Sequence, residues 1–423
     1  MTNERILIIG AGAAGLMAAR MLAQSGKHVT VLEAKELTGG RILDYSSKGN
    51  SQPFMLGAEF IHGNAELTFS LLDEAGIAFK SISGKNYNAV KGKLTEFESD
   101  RDFWPELMEK LELLQEDVSL AKFLDLYFSD KKYNAFRASV LRFVEGYDAA
   151  DANKVSSLSL KKEWELDDEQ QQFRIEGGYS RLIKYLEEDN IAKGVSILTG
   201  KVISHFNWSR GFVEAIAVDG SRYAGRKVII TVPLGVLQMK EGDLGSITLN
   251  PPLPIRMGAV RFMGFGSVIK VILQFKKAFW PEDAGFIFAK EAIPVWWTQA
   301  PNSEPVLTGW LAGPGTEKYK DADETALVQI ALKSLSGIFS KSITELKADL
   351  LVSFSCNWVN NPFSKGAYTY ITVEEPNAAV VLSNPVQGTL YFSGEATYNG
   401  PHVGTVEAAL VSGKEVAERV MLG

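Results

Sequence analysis

The chain has 423 residues, 46% of them apolar and 22% charged, with a net charge of −7 and one cysteine, Cys356. That length exceeds what one hydrophobic core fills, so two domains are expected. The acidic balance without a long basic run excludes a nucleic-acid partner, and a lone cysteine excludes an intramolecular disulfide or a thiolate metal cluster.

Arg5 to Ile9 is a short apolar run that reads as a strand and stops at Gly10. A helical pattern follows, with Leu16, Ala19, Leu22 and Ala23 on one face. His28 to Leu32 reads as a second strand that stops at Glu33. This βαβ unit carries Gly10-x-Gly12-x-x-Gly15 at its strand-to-helix turn. Gly10 permits the tight turn, Gly12 lets a pyrophosphate approach the backbone, and Gly15 lets the helix sit close to the sheet. The helix start at Ala13 and Ala14 offers free N–H groups to phosphates. Glu33, followed by Ala34, is placed to accept hydrogen bonds from an adenosine ribose, and its charge disfavours a 2′-phosphate there. The unit therefore predicts a dinucleotide site and leaves NAD and FAD open.

The first strand begins within five residues of Met1, which leaves no room for a signal peptide. No apolar stretch approaches the ~20 residues that span a bilayer. A soluble, cytoplasmic protein without a membrane anchor is expected. The four histidines, His28, His62, His205 and His402, lack metal-ligand spacing, so no metal site is expected.

From about residue 100 to Phe173 the pattern is helical, with WPELMEKLELLQ and SLAKFLDLYF as its clearest segments. Residues 194 to 237 read as two hairpin arms feeding a buried strand, KVIITV. Strands are expected at 268 to 275 (VIKVILQF), 294 to 300 (PVWWTQA) and in LVSFSCNWV, with a helix near 324 to 338 before the last of these. The chain closes with a strand and Gly-Glu in TLYFSGEAT, 389 to 397, and a helix from about Thr405 to Met421. A domain that starts at residue 5 and is completed at the C-terminus is discontinuous. The fold expected is α/β: a Rossmann-like FAD-binding domain (1–85, 195–245 and 385–423) with an inserted α+β substrate domain (86–194 and 246–384).

The order of these segments resembles the flavin-dependent amine oxidases over nearly the whole chain. The resemblance rests on Gly39-Gly40-Arg41 after the second strand and on LGAEFIHG at 56 to 63. It continues through SSLSLKKEWELDDEQQQF ending at Phe173, GGYSRL from 177, and Thr231-Val-Pro-Leu-Gly-Val-Leu237. GFGSVIKVILQF, NWVNNPFSKGAYTY and GPHVGTVEAALVSG complete it.

By that resemblance the cofactor is FAD. Gly40 and Arg41 would lie near its pyrophosphate, Val202 would meet the adenine through its backbone, and Leu56, Gly57, Ala58, Glu59, Val232, Gly394, Glu395, Thr405 and Val406 would complete the site. Lys270 would hold a water against flavin N5. By pattern alone a lone lysine in a strand is a snorkelling surface side chain, but Lys270 has apolar neighbours on both sides. Trp358 and Tyr368 would form an aromatic wall over the flavin. Relatives with covalent FAD carry a cysteine immediately before that tyrosine; here the position is Ala367, so non-covalent FAD is expected. Thr405 stands where monoamine oxidases place a second tyrosine, which puts a small-arylamine preference in doubt.

His62 falls where polyamine oxidases carry a His or Glu beside the substrate channel; it or Glu59 could position or deprotonate an alkylammonium. Glu145 and Asp148 could add negative charge, and Trp296 and Trp297 could line the cavity. The resemblance implies oxidation of a primary or secondary amine, polyamine or monoamine, to an imine or aldehyde by hydride transfer, with O2 as acceptor and H2O2 as product. An α-amino acid substrate is disfavoured because Glu59-Phe60-Ile61-His62 replaces the carboxylate-binding arginine. A chromatin demethylase is disfavoured because the tower insertion and N-terminal domain are missing. The rivals are a flavoprotein desaturase or protoporphyrinogen-type oxidase and a catalytically silent FAD-binding interaction protein. The sequence sets no oligomeric state.

Overall fold

A computed structural model describes residues 5–46, 52–97, 102–165, 171–400 and 402–423. Part of the 156–173 motif (166–170) and Pro401 of the C-terminal motif lie outside the described residues.

Strand Ile6–Ile9 is buried at every position, as its unbroken apolar run requires of a strand covered on both faces. It pairs in parallel with Val29–Leu32 on one side and Lys227–Ile230 on the other. Ser196–Leu198 and Leu390–Phe392 extend the sheet outward, giving five parallel strands drawn from distant parts of the chain. Helices Ala13–Gln24, Ser180–Ala192 and Val406–Leu422 share the core on one face through Leu16, Leu182 and Leu410. The other face packs on the meander Ile203–Ser209, Phe212–Ala217 and Arg222–Gly225, which Thr248–Asn250 extends. Helix Ser180–Ala192 and strand Thr248–Asn250 thus pack with the nucleotide half, although divisions at 194 and 245 would separate them from it. A division by chain position follows connectivity, whereas these two elements are held by their apolar faces.

The second half is a seven-stranded sheet in the order 350–357, 268–275, 306–312, 295–297, 284–289, 85–90 and 93–96. Helix Glu324–Phe339 covers one face through Leu327, Ala331 and Leu335. Four helices, Trp104–Glu112, Leu120–Tyr127, Asn134–Tyr147 and Ser157–Glu165, form a separate core around Phe123, Phe128 and Phe136. The helical pattern gives way at Gln172–Ile175, a strand that pairs with Phe60–His62 and Phe79–Ser81. Too short for periodicity to declare, this strand is fixed by its partners and by Arg174, buried beside Glu59.

Candidate active site

The two halves enclose one cavity of about 2000 Å3. Its nucleotide end is built on the first strand-to-helix turn. Gly10 has φ +106°, and a Cβ there would meet Thr231 Oγ1 at 2.8 Å. Gly12 is the N-cap of the first helix, and a Cβ on it would find nothing closer than Gly40 Cα at 3.9 Å, so its face is open to the cavity with Ala13 and Ala14 beside it. Gly15 is not on the wall: a Cβ there would lie 2.0 Å from the Gly10 carbonyl oxygen, so its function is close helix–strand packing.

Glu33 is buried, with Oε2 accepting from the Ala11 N–H at 2.7 Å and Oε1 from the Lys35 N–H at 2.9 Å. Those bonds hold the carboxylate against the wall beside Ala34 and Val202. Lys35 donates to the Gly40 carbonyl at 2.6 Å, which fixes the second glycine loop. Arg41 pairs with Glu395 at 2.8 Å and donates to the Ala367 carbonyl, while Glu395 Oε2 accepts from the Thr369 N–H at 3.2 Å. A second helix opens on the same space: Thr405 caps it by accepting from the Ala408 N–H at 3.1 Å and donates to the His402 carbonyl at 2.7 Å, with Val406 as its first residue. Val232, Gly57, Ala58 and Gly394 also reach the wall. Leu56 does not; it packs against Phe54 and Ile272, and only its carbonyl serves the site, accepting from Trp358 Nε1 at 3.1 Å.

The far end centres on Lys270, which is 1% exposed. Strand Val268–Phe275 turns it toward the cavity between apolar neighbours that face away. Its Nζ donates to Glu59 Oε2 at 2.6 Å and to the Gly57 carbonyl at 3.2 Å, and lies 5.3 Å from the centre of the Trp297 ring. Glu59 Oε1 accepts from Arg174 Nη2 at 2.9 Å and from Trp297 Nε1 at 3.0 Å. Burial alone would raise the Glu59 pKa, but the charges of Lys270 and Arg174 overcome it and hold the carboxyl below its usual range. Glu59 is therefore on the wall yet already matched, and is no free acceptor for an ammonium. Arg174 and its strand carried no sequence signal beyond a lone basic residue in a polar stretch.

His62, Tyr147 and Tyr368 line the cavity together. His62 Nδ1 and the Tyr147 hydroxyl are 3.1 Å apart. Burial, with a contribution from His402, pushes the His62 pKa down to about 4, so the ring is neutral near pH 7. The Tyr368 hydroxyl donates to the Tyr147 carbonyl, and burial keeps it protonated. Trp358 lies on the wall beside Val268 and Ala367. Trp296 corrects the expectation: it is 0% exposed, in the core behind the sheet, and donates to the Ile293 carbonyl at 3.1 Å. Successive strand residues face opposite sides, so Trp297, not Trp296, looks into the cavity.

The residues present fit a dinucleotide. Two helix N-termini and the open face of Gly12 suit a pyrophosphate, and the buried Glu33 suits a ribose. A single-ligand pocket occupies about 300–1,000 Å3, so the cavity has room for a cofactor and a second molecule. Ala367 brings no sulfur to the wall; Cys356 lies across from Lys270 on the neighbouring strand, its thiol pushed up to about 11 by burial.

Comparison with known proteins supplies a family and a fold. Residues 13–421 match the model of the flavin containing amine oxidoreductase family. The chain is 27% identical to lysine-specific histone demethylase 2 of Homo sapiens over 99% of its own length and 53% of that protein's. It is also 27% identical to lysine-specific histone demethylase 1 homolog 3 of Arabidopsis thaliana, of which it covers 30%. It thus spans 30% of one of these relatives and 53% of the other. Its fold is similar to that of putrescine oxidase bound to putrescine (TM-score 0.81, 19% identity, 99% of both chains). Cyclohexylamine oxidase from Brevibacterium oxydans is likewise similar (TM-score 0.80, 18% identity, 99% of this chain and 98% of that one).

Proposed function

The chain belongs to the flavin-containing amine oxidoreductases, and on that premise we propose that it oxidises a primary or secondary amine to an imine, using non-covalent FAD and O2. One observation carries the reading: a single cavity joins the Gly10–Gly12 cradle to the buried Lys270 and the wall of Trp358 and Tyr368. FAD, when bound, would supply the redox chemistry: acceptance of a hydride from the carbon beside the amine nitrogen and transfer of two electrons to O2, giving H2O2. Gly12, the helix start at Ala13 and Arg41 bind the pyrophosphate, and Glu33 binds the adenosine ribose. Ala367, in place of a cysteine, supports non-covalent attachment.

Hydride leaves a carbon next to a neutral amine, so an arriving ammonium must lose its proton. Neutral His62 is able to accept a hydrogen bond from the substrate nitrogen without repelling its charge. Tyr368 and Trp358 orient the nitrogen and exclude water. Lys270 presents a donor that places a water. Glu145, Asp148 and Glu163 on the wall favour a substrate with further positive charge, and so a polyamine over an arylamine. A cytoplasmic location goes with this reading, supported by a single cysteine. Among the described residues no helix is long and apolar enough to cross a membrane.

The test mixes the yellow holoenzyme, without oxygen, with spermidine, spermine, putrescine, tyramine, benzylamine, leucine and a methyl-lysine peptide. Bleaching of the flavin by polyamines is the expected result. Bleaching by the peptide alone moves the substrate to a protein side chain. No bleaching by any amine overturns the proposal in favour of a desaturase or a silent FAD-binding protein.

A further inference from the structure

Three charged side chains, from segments far apart in the chain, meet in one buried cluster: Lys270 and Glu59 line the cavity and Arg174 lies behind them. Lys270 is 1% exposed, Arg174 3% and Glu59 5%. Glu59 gives one oxygen to each cation, Oε2 to Lys270 at 2.6 Å and Oε1 to Arg174 at 2.9 Å. Two cations share one anion, which leaves a surplus positive charge in a place where an uncompensated charge costs several kcal/mol.

Asp44 feels both Lys270 and Glu59, but its Oδ2 is committed to the Ser180 N–H at 2.9 Å. Cys356, opposite Lys270, holds its thiol proton, and His62 is neutral. Arg174 is tied down away from the cavity, with Nη1 donating to the Ala300 carbonyl at 2.9 Å and Nη2 also to the Thr298 carbonyl at 3.3 Å. Lys270 has three N–H groups. Among the described residues, Glu59 and the Gly57 carbonyl take two, and the third is left for the cavity that Lys270 lines.

We propose that Glu59 is a positioning residue that holds Lys270 as an ammonium with its third N–H presented to the cavity, while Arg174 locks Glu59 in place. The chemical consequence rests on the flavin-oxidase reading above. Re-oxidation moves two electrons from the reduced cofactor to O2, which with two protons, one carried by the cofactor and one from solvent, becomes H2O2. The first electron turns O2 into an anion, and a fixed ammonium stabilises that anion as it forms. The surplus charge of the cluster then has its counterpart during turnover rather than at rest.

The test reduces the holoenzyme with dithionite, so that no amine is needed, and mixes it with O2. Glu59→Gln keeps the size of the side chain and removes its charge. It should slow re-oxidation about tenfold or more. Glu59→Asp, which keeps the charge, should restore most of that rate. A lower melting temperature with an unchanged rate in Glu59→Gln would make Glu59 merely structural and overturn the proposal. A second readout uses cofactor-free protein treated with acetic anhydride at about pH 8, since only a neutral amine is acylated. Lys270 should resist acetylation in the wild type and be labelled in Glu59→Gln, as mapped by peptide mass spectrometry. Wild-type Lys270 labelled as fast as an exposed lysine such as Lys184 overturns the proposal even if no variant folds. Failure to bleach with amines leaves both readouts intact, so the two proposals fail separately.

Discussion

The two ends of the cavity are made in opposite ways. The nucleotide end is largely local: Gly10, Gly12, Ala13 and Ala14 are near neighbours, and what they offer is backbone N–H at a helix start. The lysine end is assembled from Glu59, Arg174, Lys270 and Trp297, and what they offer is side-chain charge held in a buried network. Backbone donors need only the right turn and tolerate different side chains nearby. A charged network needs every member, because removing one leaves another buried and unmatched.

This contrast predicts the largest effect at Arg174. Arg174→Met should cost about 3–5 kcal/mol of stability, as loss of one partner of a buried pair does, measured by urea unfolding. A cost below about 1 kcal/mol, the range of an exposed pair, would dissolve the distinction between the two ends. Next comes Gly15→Ala, whose methyl group would collide with the Gly10 carbonyl. It should cost about 1–3 kcal/mol from overpacking and weaken FAD retention through helix displacement, whereas Gly12→Ala, with open space around it, should leave the apoprotein stable and weaken only FAD binding. Equal losses of apoprotein stability would refute the separate assignments of these glycines.

The tryptophan pair sharpens the comparison within one strand. Trp297→Phe removes a hydrogen bond to charged Glu59 and should cost about 1.5–3 kcal/mol together with a slower re-oxidation of the flavin. Trp296→Phe should lower stability alone, since its indole faces the core. Stopped-flow re-oxidation alongside thermal melting separates the two. The last effect, at His62, is absent at neutral pH and shows only in acid. Its folded pKa, about 4, lies below the ordinary imidazole value of 6.5, so the unfolded chain binds the proton more readily. Stability is therefore full above pH 6.5 and declines as pH falls toward 4. His62→Gln should flatten that part of the melting-temperature curve and leave the region above pH 7 unchanged. An identical acid limb in the variant would show that His62 contributes nothing to it.

The same contrast explains what was legible in advance. Glu33 and the glycines belong to a strand–turn–helix unit whose spacing has few physical interpretations. Lys270 could be singled out because apolar residues flank it on both sides. Arg174 could not, because its strand has four residues and its partner is 115 positions away. Glu59 was legible as a charge near the site but not as a charge already matched, and the choice between Trp296 and Trp297 turned on which face of the strand meets helix Glu324–Phe339.

By itself the sequence determined the parallel nucleotide sheet, the discontinuous path of the chain through it, the glycine cradle and the family resemblance. Each follows from short-range periodicity or from residues whose backbone freedom limits where they can sit. Only the tertiary structure decided that Glu59 joins Lys270 to Arg174, that Leu56 and Gly15 stand behind the wall, and that Trp297 replaces Trp296 in the cavity. Those outcomes depend on which distant surfaces pack together and which buried charges must find partners when they do.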